Sequence, residues 1–106
     1  MLVRLHLPLW ALSSKPNSRD IHDAYKRHYD SEHFIKIADY NFGDLNNEID
    51  PQALNGSNFL QLHVLHDEKT DNSIIIAQLD NLGKGASGQV VQTINLLTGI
   101  EEKTGL

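Results

Sequence analysis

Cysteine is absent from all 106 residues, which excludes disulfides, thiolate metal sites and a cysteine nucleophile from this polypeptide. No apolar run reaches the ~18 residues of a membrane span. Met1-Leu2-Val3-Arg4 sets a charge inside the only apolar stretch at the N-terminus, unlike a secretory leader, so a cytoplasmic protein without a membrane is expected. Positive charge is also in short supply: 9 Lys and Arg against 14 Asp and Glu leave a formal net charge of -5, and the cations are scattered. Without a basic stripe there is no footprint for nucleic acid. What is present suits a folded chain, with 40% hydrophobic and 22% charged residues and a length that allows one core and not two.

Apolar residues alternate along Leu2 to Leu9, as Val3, Leu5, Leu7 and Leu9 interleave with Arg4, His6 and Pro8. A period of two predicts a half-buried strand. A chain that opens directly in a strand reads as one cut from something longer. Ser13 to Ser18 is turn-rich, and Asn17 or Ser18 can cap a helix with the apolar stripe Ile21, Ala24, Tyr25 and Tyr29. Phe34 to Ala38 predicts a short strand, and Asp39 to Asn55 a long polar loop with a turn after Pro51. Phe59 to His66 and the β-branched run in Ser73 to Leu79 predict two antiparallel strands joined through Asp67 to Asn72. Val90, Val91, Ile94 and Leu97 recur at helical spacing before a stop at Thr98-Gly99. The order β-α-β-β-β-α predicts a single α+β domain over residues 1–106, its mixed, largely antiparallel sheet covered by helices.

Gly83-Lys84-Gly85-Ala86-Ser87-Gly88 matches G-x-G-x-x-G, after a strand and before a helix. A dinucleotide fingerprint also needs a following parallel strand that ends in an acidic residue ~20 positions on, and no such strand follows within this sequence. A Walker loop fails as well, since no Gly-Lys-Ser or Gly-Lys-Thr closes it. Two readings stay open. The glycines serve a tight turn with positive φ, or amides at a helix start, the Lys84 ammonium and the Asn81 carboxamide face a ligand carrying phosphate or carboxamide groups.

Asp80 to Gln89, DNLGKGASGQ, with Val91-Gln92, Asn95-Leu96 and Gly99, resembles the closing segment of N-acetyl-γ-glutamyl-phosphate reductases. Aspartate-semialdehyde dehydrogenases end in a related way. Leu9 to Leu12, Asp20-Ile21-His22, Asp50 to Asn58 and the hairpin are similar to the shorter, less common form of that reductase. The resemblance implies the C-terminal domain of a glyceraldehyde-3-phosphate-dehydrogenase-type enzyme, partnered by an N-terminal dinucleotide-binding half and by a second copy of itself. It implies NADP as cofactor and reduction of an acyl phosphate to a semialdehyde, in arginine biosynthesis, through a cysteine thioester. Asn81 matches the residue near the nicotinamide carboxamide, and Gly83, Lys84, Gly85 and Ala86 match the wall of the nicotinamide and phosphate end. The family's nucleophilic cysteine has no counterpart here, and its catalytic histidine belongs before Met1. No catalytic residue is therefore assigned. A non-catalytic binding or assembly module, left by truncation of such an enzyme, is the alternative.

Among six histidines, His63 and His66 invite a metal, yet residues three apart on a strand point to opposite faces, and no metal is expected. His6, on the polar face of the first strand, could line the active-site side but is read as solvent-facing or hydrogen-bonded. Asn55-Gly56-Ser57 fits a glycosylation sequon but is read as a turn. Trp10, Tyr25, Tyr29, Phe34 and Phe59 are expected to pack in the core, and any surface meant for a missing domain predicts self-association.

Overall fold

A computed structural model describes residues 1–40 and 49–106. Residues 41–48 of the loop expected over Asp39 to Asn55 therefore lie outside the described residues. The elements follow the expected order: β1 (Leu2–Pro8), α1 (Ser18–His28), β2 (Ile35–Ile37), β3 (Leu60–Asp67), β4 (Asn72–Leu79) and α2 (Gly88–Thr98). The four strands form one sheet in the order β1-β4-β3-β2, antiparallel throughout except for the β2–β3 pair. The fold is thus α+β with a mixed, mostly antiparallel sheet.

Register explains which residues share a face. Leu62 lies opposite Ala77, and Val64 opposite Ile75, which in turn lies opposite Leu5. That face carries the apolar core. Val64 is fully buried, with Leu62, Ile75 and Leu79 close to it, and each such side chain contributes about 1.5–3 kcal/mol by leaving water. His63, Ile76 and Gln78 occupy the other face, where His63 Nε2 and Gln78 Oε1 are 3.1 Å apart. Here the turns after Pro51 are tied down, because the Gln78 amide donates to the Asp50 carbonyl and the Met1 ammonium to the Pro51 carbonyl.

α1 begins in a reciprocal cap. Asn17 Oδ1 accepts from the Asp20 amide at 2.8 Å, and Asp20 Oδ2 accepts from the Asn17 amide at 2.9 Å. The helix does not dock through the expected stripe. Ser18 and His22 are buried, whereas Ala24 is exposed and Ile21, Tyr25 and Tyr29 are only half-buried. Polar partners on the sheet explain the difference: Ser18 Oγ lies 2.9 Å from His66 Nδ1, and the His22 ring reaches the Ala38 carbonyl through Nε2 at 2.9 Å. Hydrophobic spacing cannot anticipate a helix seated by hydrogen bonds.

Three other expectations need correction. β1 is at the end of the sheet described, exposed on both faces through His6, and so is less covered than a half-buried strand. Trp10 is 71% exposed, because the turn Leu9–Ala11 buries Leu9 and points its neighbour outward. Phe34 packs inside as expected. α2 ends at Gly99 with φ 72°, the left-handed cap foreseen in Thr98-Gly99, but its burial is inverted. Gly88, Gln92 and Asn95 face inward, while Val90, Ile94 and Leu97 stand in solvent.

Candidate functional site

β4 delivers Asp80 to the point where strand turns into helix. Its carboxylate organises the turn: Oδ2 accepts from the Gly56 amide at 2.8 Å and Oδ1 from the Leu82 amide at 3.0 Å. These bonds favour the charged form and hold the carboxyl below its usual 3.8. A depressed carboxylate stabilises the fold in full above its unfolded value and loses that contribution as pH falls through the folded one. Asp80→Asn is therefore expected to lower the urea midpoint at about pH 7, and the gap from the parent protein should narrow toward about pH 2, as the Asp80 carboxylate takes up its proton. A gap of equal size at both ends would remove the carboxylate from this role.

From Gly83 to Ser87 the chain winds as a π-turn, wider than an α-helix. Amides reach back five residues, from Gly85 to the Asp80 carbonyl at 2.9 Å and from Gly88 to the Gly83 carbonyl. Such turns are frequent at functional sites. None of Gly83, Gly85 and Gly88 has positive φ, so conformational freedom is not why they are glycine. Close approach is the reason at two of them. A Cβ on Gly83 would stand 2.8 Å from the Ser57 carbonyl, and one on Gly88 would stand 2.2 Å from Asn58 Oδ1.

The five sequence-predicted residues do come together, on this one turn. Asn81, Gly85 and Ala86 form its exposed lip; Gly83 and Lys84 are half-buried behind them. The Lys84 ammonium turns inward, 2.5 Å from Gln92 Oε1 and 5.7 Å from the centre of the Phe34 ring. Burial lowers its pKa, against the opposing pull of Glu102 and Glu32. Amides at Leu82, Gly85, Ser87 and Gly88 are likewise satisfied within the turn or by Asp80.

Behind the turn lies a polar cluster that sequence reading did not single out. Gln92 Oε1 also accepts from Asn58 Nδ2 at 3.0 Å, and Gln92 Nε2 donates to Glu102 at 2.5 Å. Asn95 Nδ2 donates to the Glu102 and Thr104 carbonyls. The segment after α2 is thereby folded back onto the helix. One signal was legible: Gln92 and Asn95 sit three apart among apolar residues, on a common helix face. On the other side of the turn, Gly56, Asp80, Leu82 and Gly83 line a shallow cleft of about 350 Å³. His63 and His66 stand on opposite faces of β3, as their spacing requires.

A family model described as "Semialdehyde dehydrogenase, dimerisation domain" matches residues 1–81. The chain is 39% identical over 109 residues to the N-acetyl-gamma-glutamyl-phosphate reductase of Trichormus variabilis, with 100% of this chain and 34% of that protein covered. N-acetyl-gamma-glutamyl-phosphate reductase 2 of Nostoc sp. matches equally, at 39% over the same shares. The Bacillus subtilis protein of the same name is 38% identical over 87 residues, covering 82% of this chain and 24% of its own length. The chain thus spans about a third or less of the curated relatives it matches. Over more than half its length it fits the dimerisation-domain model, and it belongs to the semialdehyde dehydrogenase family.

Proposed function

We propose that this chain acts as the C-terminal, dimerising part of a cytoplasmic, NADP-dependent reductase that converts N-acetyl-γ-glutamyl phosphate to its semialdehyde in arginine biosynthesis. The observation that carries this reading is the 39% identity to a reductase of that name over the whole chain. On this reading residues 1–106 form one domain, and the remaining two thirds of the enzyme supply the dinucleotide-binding domain, the cysteine and the histidine. NADPH, when bound, supplies the hydride. This chain contributes no group that reacts.

Its contribution is a wall for the nicotinamide end. Asn81 is exposed and offers both a donor and an acceptor, which suits a carboxamide. Gly85 leaves room for that side chain, since a Cβ there would stand 3.1 Å from Asn81 Oδ1. Lys84 fits a different task from phosphate binding, because its ammonium is already engaged by Gln92. We assign it to holding Gly83 and Ala86 in place, with the π-turn as the rigid support.

The test is complementation. The chain is mixed with the complementary two thirds of the Trichormus variabilis relative, and NADPH oxidation is followed with the acyl phosphate. Neither part alone should turn over, and the mixture should. Asn81→Ala in that mixture is expected to raise the KM for NADPH about 3–10-fold, the worth of one hydrogen bond, with kcat little changed. Absence of cysteine favours one other reading, a stand-alone binding or assembly module. A mixture that associates but oxidises no NADPH with any acyl phosphate would establish that second reading and sink the first.

A further inference from the structure

The turn that presents Asn81 and Gly85 also carries a cation, and that cation stays off the exposed lip. Lys84 stands between Gly83 and Gly85 in the chain, yet its ammonium passes behind the turn to Gln92 Oε1. A half-buried ammonium has lost part of its hydration, and the long lysine stem can recover it by swinging into water. A counter-force must therefore hold the side chain in.

That force follows from what each side chain can donate and accept. An ammonium only donates and a carboxylate only accepts, so a carboxamide placed between them has one permitted direction. Gln92 takes that direction between Lys84 and Glu102: Oε1 accepts from Lys84 Nζ at 2.5 Å, and Nε2 donates to Glu102 Oε1 at 2.5 Å. Asn58 Nδ2 donates to the same Gln92 oxygen at 3.0 Å, in agreement with this orientation. Cation and anion thus face each other across a buried amide dipole, with a charge-assisted hydrogen bond at either end. Among the described residues, Glu32 is the other carboxylate that pulls on Lys84, and it lies exposed.

Glu102 is placed by α2 itself. Gly99, at φ 72°, reverses the chain, and the Ile100 amide returns to the Asn95 carbonyl at 2.9 Å. Asn95 Nδ2 then donates to the carbonyls of Glu102 and Thr104 at 3.0 and 2.9 Å. The backbone at Glu102 is fixed by Asn95, which leaves the carboxylate for Gln92 on the same helix face.

We propose that Glu102 is a positioning residue, the counter-charge that acts through Gln92 to keep the Lys84 ammonium behind the turn and off the lip formed by Asn81, Gly85 and Ala86. The purpose of the hold rests on the function proposed above. Loss of hydride leaves a positive charge on a nicotinamide ring, and an ammonium beside it would oppose that charge. Lys84 held inward keeps the lip neutral.

The hold is tested on the chain alone, by trace acetylation with acetic anhydride read by peptide mass spectrometry. Burial lowers the Lys84 pKa, which raises the share of free amine and by itself would speed labelling. Slow labelling therefore reports shielding. Lys84 should react about 10-fold more slowly than exposed Lys69, the worth of one charge-assisted hydrogen bond. Glu102→Gln keeps an acceptor for Gln92 and removes the charge, and it should close most of that gap. Glu101→Gln is the control, because the Glu101 carboxylate pairs with Lys103 at 3.0 Å, and it should leave Lys84 as in the parent. Fast labelling of Lys84 in the parent, parent-like labelling in Glu102→Gln, or an equal gain from Glu101→Gln would each overturn the proposal. In the complemented mixture Glu102→Gln should lower kcat about 3–10-fold, and adding Lys84→Met should restore much of it, a rescue that a merely structural role would not give. A loss of kcat that Lys84→Met does not recover would remove Lys84 as its cause. A parent mixture without turnover would sink the function proposed above, whereas the labelling decides the hold by itself.

Discussion

Adding one methyl group at Gly88 should cost more than any other single-carbon change in the turn: Gly88→Ala is expected to lose about 2–3 kcal/mol of stability, as overpacked sites do. Helix propensity alone argues the other way, since alanine in place of glycine inside a helix gains roughly 1 kcal/mol. Geometry decides between them. The new Cβ would sit 2.2 Å from Asn58 Oδ1 and 2.9 Å from the Gly83 carbonyl. Asn58 is 6% exposed and tied through Nδ2 to Gln92, so its side chain cannot swing clear without abandoning that bond. Gly83 is backbone and can yield only by unwinding the π-turn. In a thermal melt the variant should fall by about 10–20 °C. Gly99→Ala is not an equivalent control, because its positive φ adds strain of its own; Ala86→Gly, on the exposed lip, is the better comparison. A Gly88→Ala protein that melts with the parent would mean that Asn58 has another place to go.

Gln92→Leu should be nearly as damaging, for an electrostatic reason. The replacement is similar in size, so packing volume changes little. What vanishes is the acceptor for Asn58 Nδ2 and Lys84 Nζ, and the donor to Glu102. A buried polar group left without a partner costs about 1–3 kcal/mol, and Asn58 is fully in that position while Lys84 is partly so. We expect a total of about 2–4 kcal/mol, read from urea unfolding. Gln92→Glu separates the contributions. It keeps an acceptor for Asn58 and Lys84 but sets a carboxylate against Glu102, so it should fall between parent and Gln92→Leu. If Gln92→Leu is neutral, the cluster is ornament, and Lys84 is free to turn outward toward a phosphate.

These residues also show how far the sequence can be read. Strand and helix positions were legible because their signals are local: alternation over Leu2 to Leu9, a cap at Asn17 or Ser18, the isoleucine run at 74–76 and Gly99. The turn between β4 and α2 was legible too, through the glycines at Gly83, Gly85 and Gly88. What escaped is the direction in which an amphipathic face points. α1 seats Ser18 and His22 on the sheet, and α2 turns Gln92 and Asn95 inward, because in both cases the neighbouring surface offers hydrogen-bond partners. A hydrophobic stripe states only that some apolar partner exists. For α2 at 81% exposure of Leu97, no such partner is among the described residues.

The pairing of β1 with β4 also sets an order of events. Leu5 is made about 70 residues before Ile75, its partner, an interval of roughly 4–14 s at ribosomal rates of 5–20 residues per second. Throughout it, β1 is without the β4 strand it pairs with here. α1 can form meanwhile, capped by its own Asn17, and the β3–β4 hairpin can close locally once it emerges. β1 thus emerges well before the strand it pairs with, and its apolar residues are the segment that a chaperone would meet waiting.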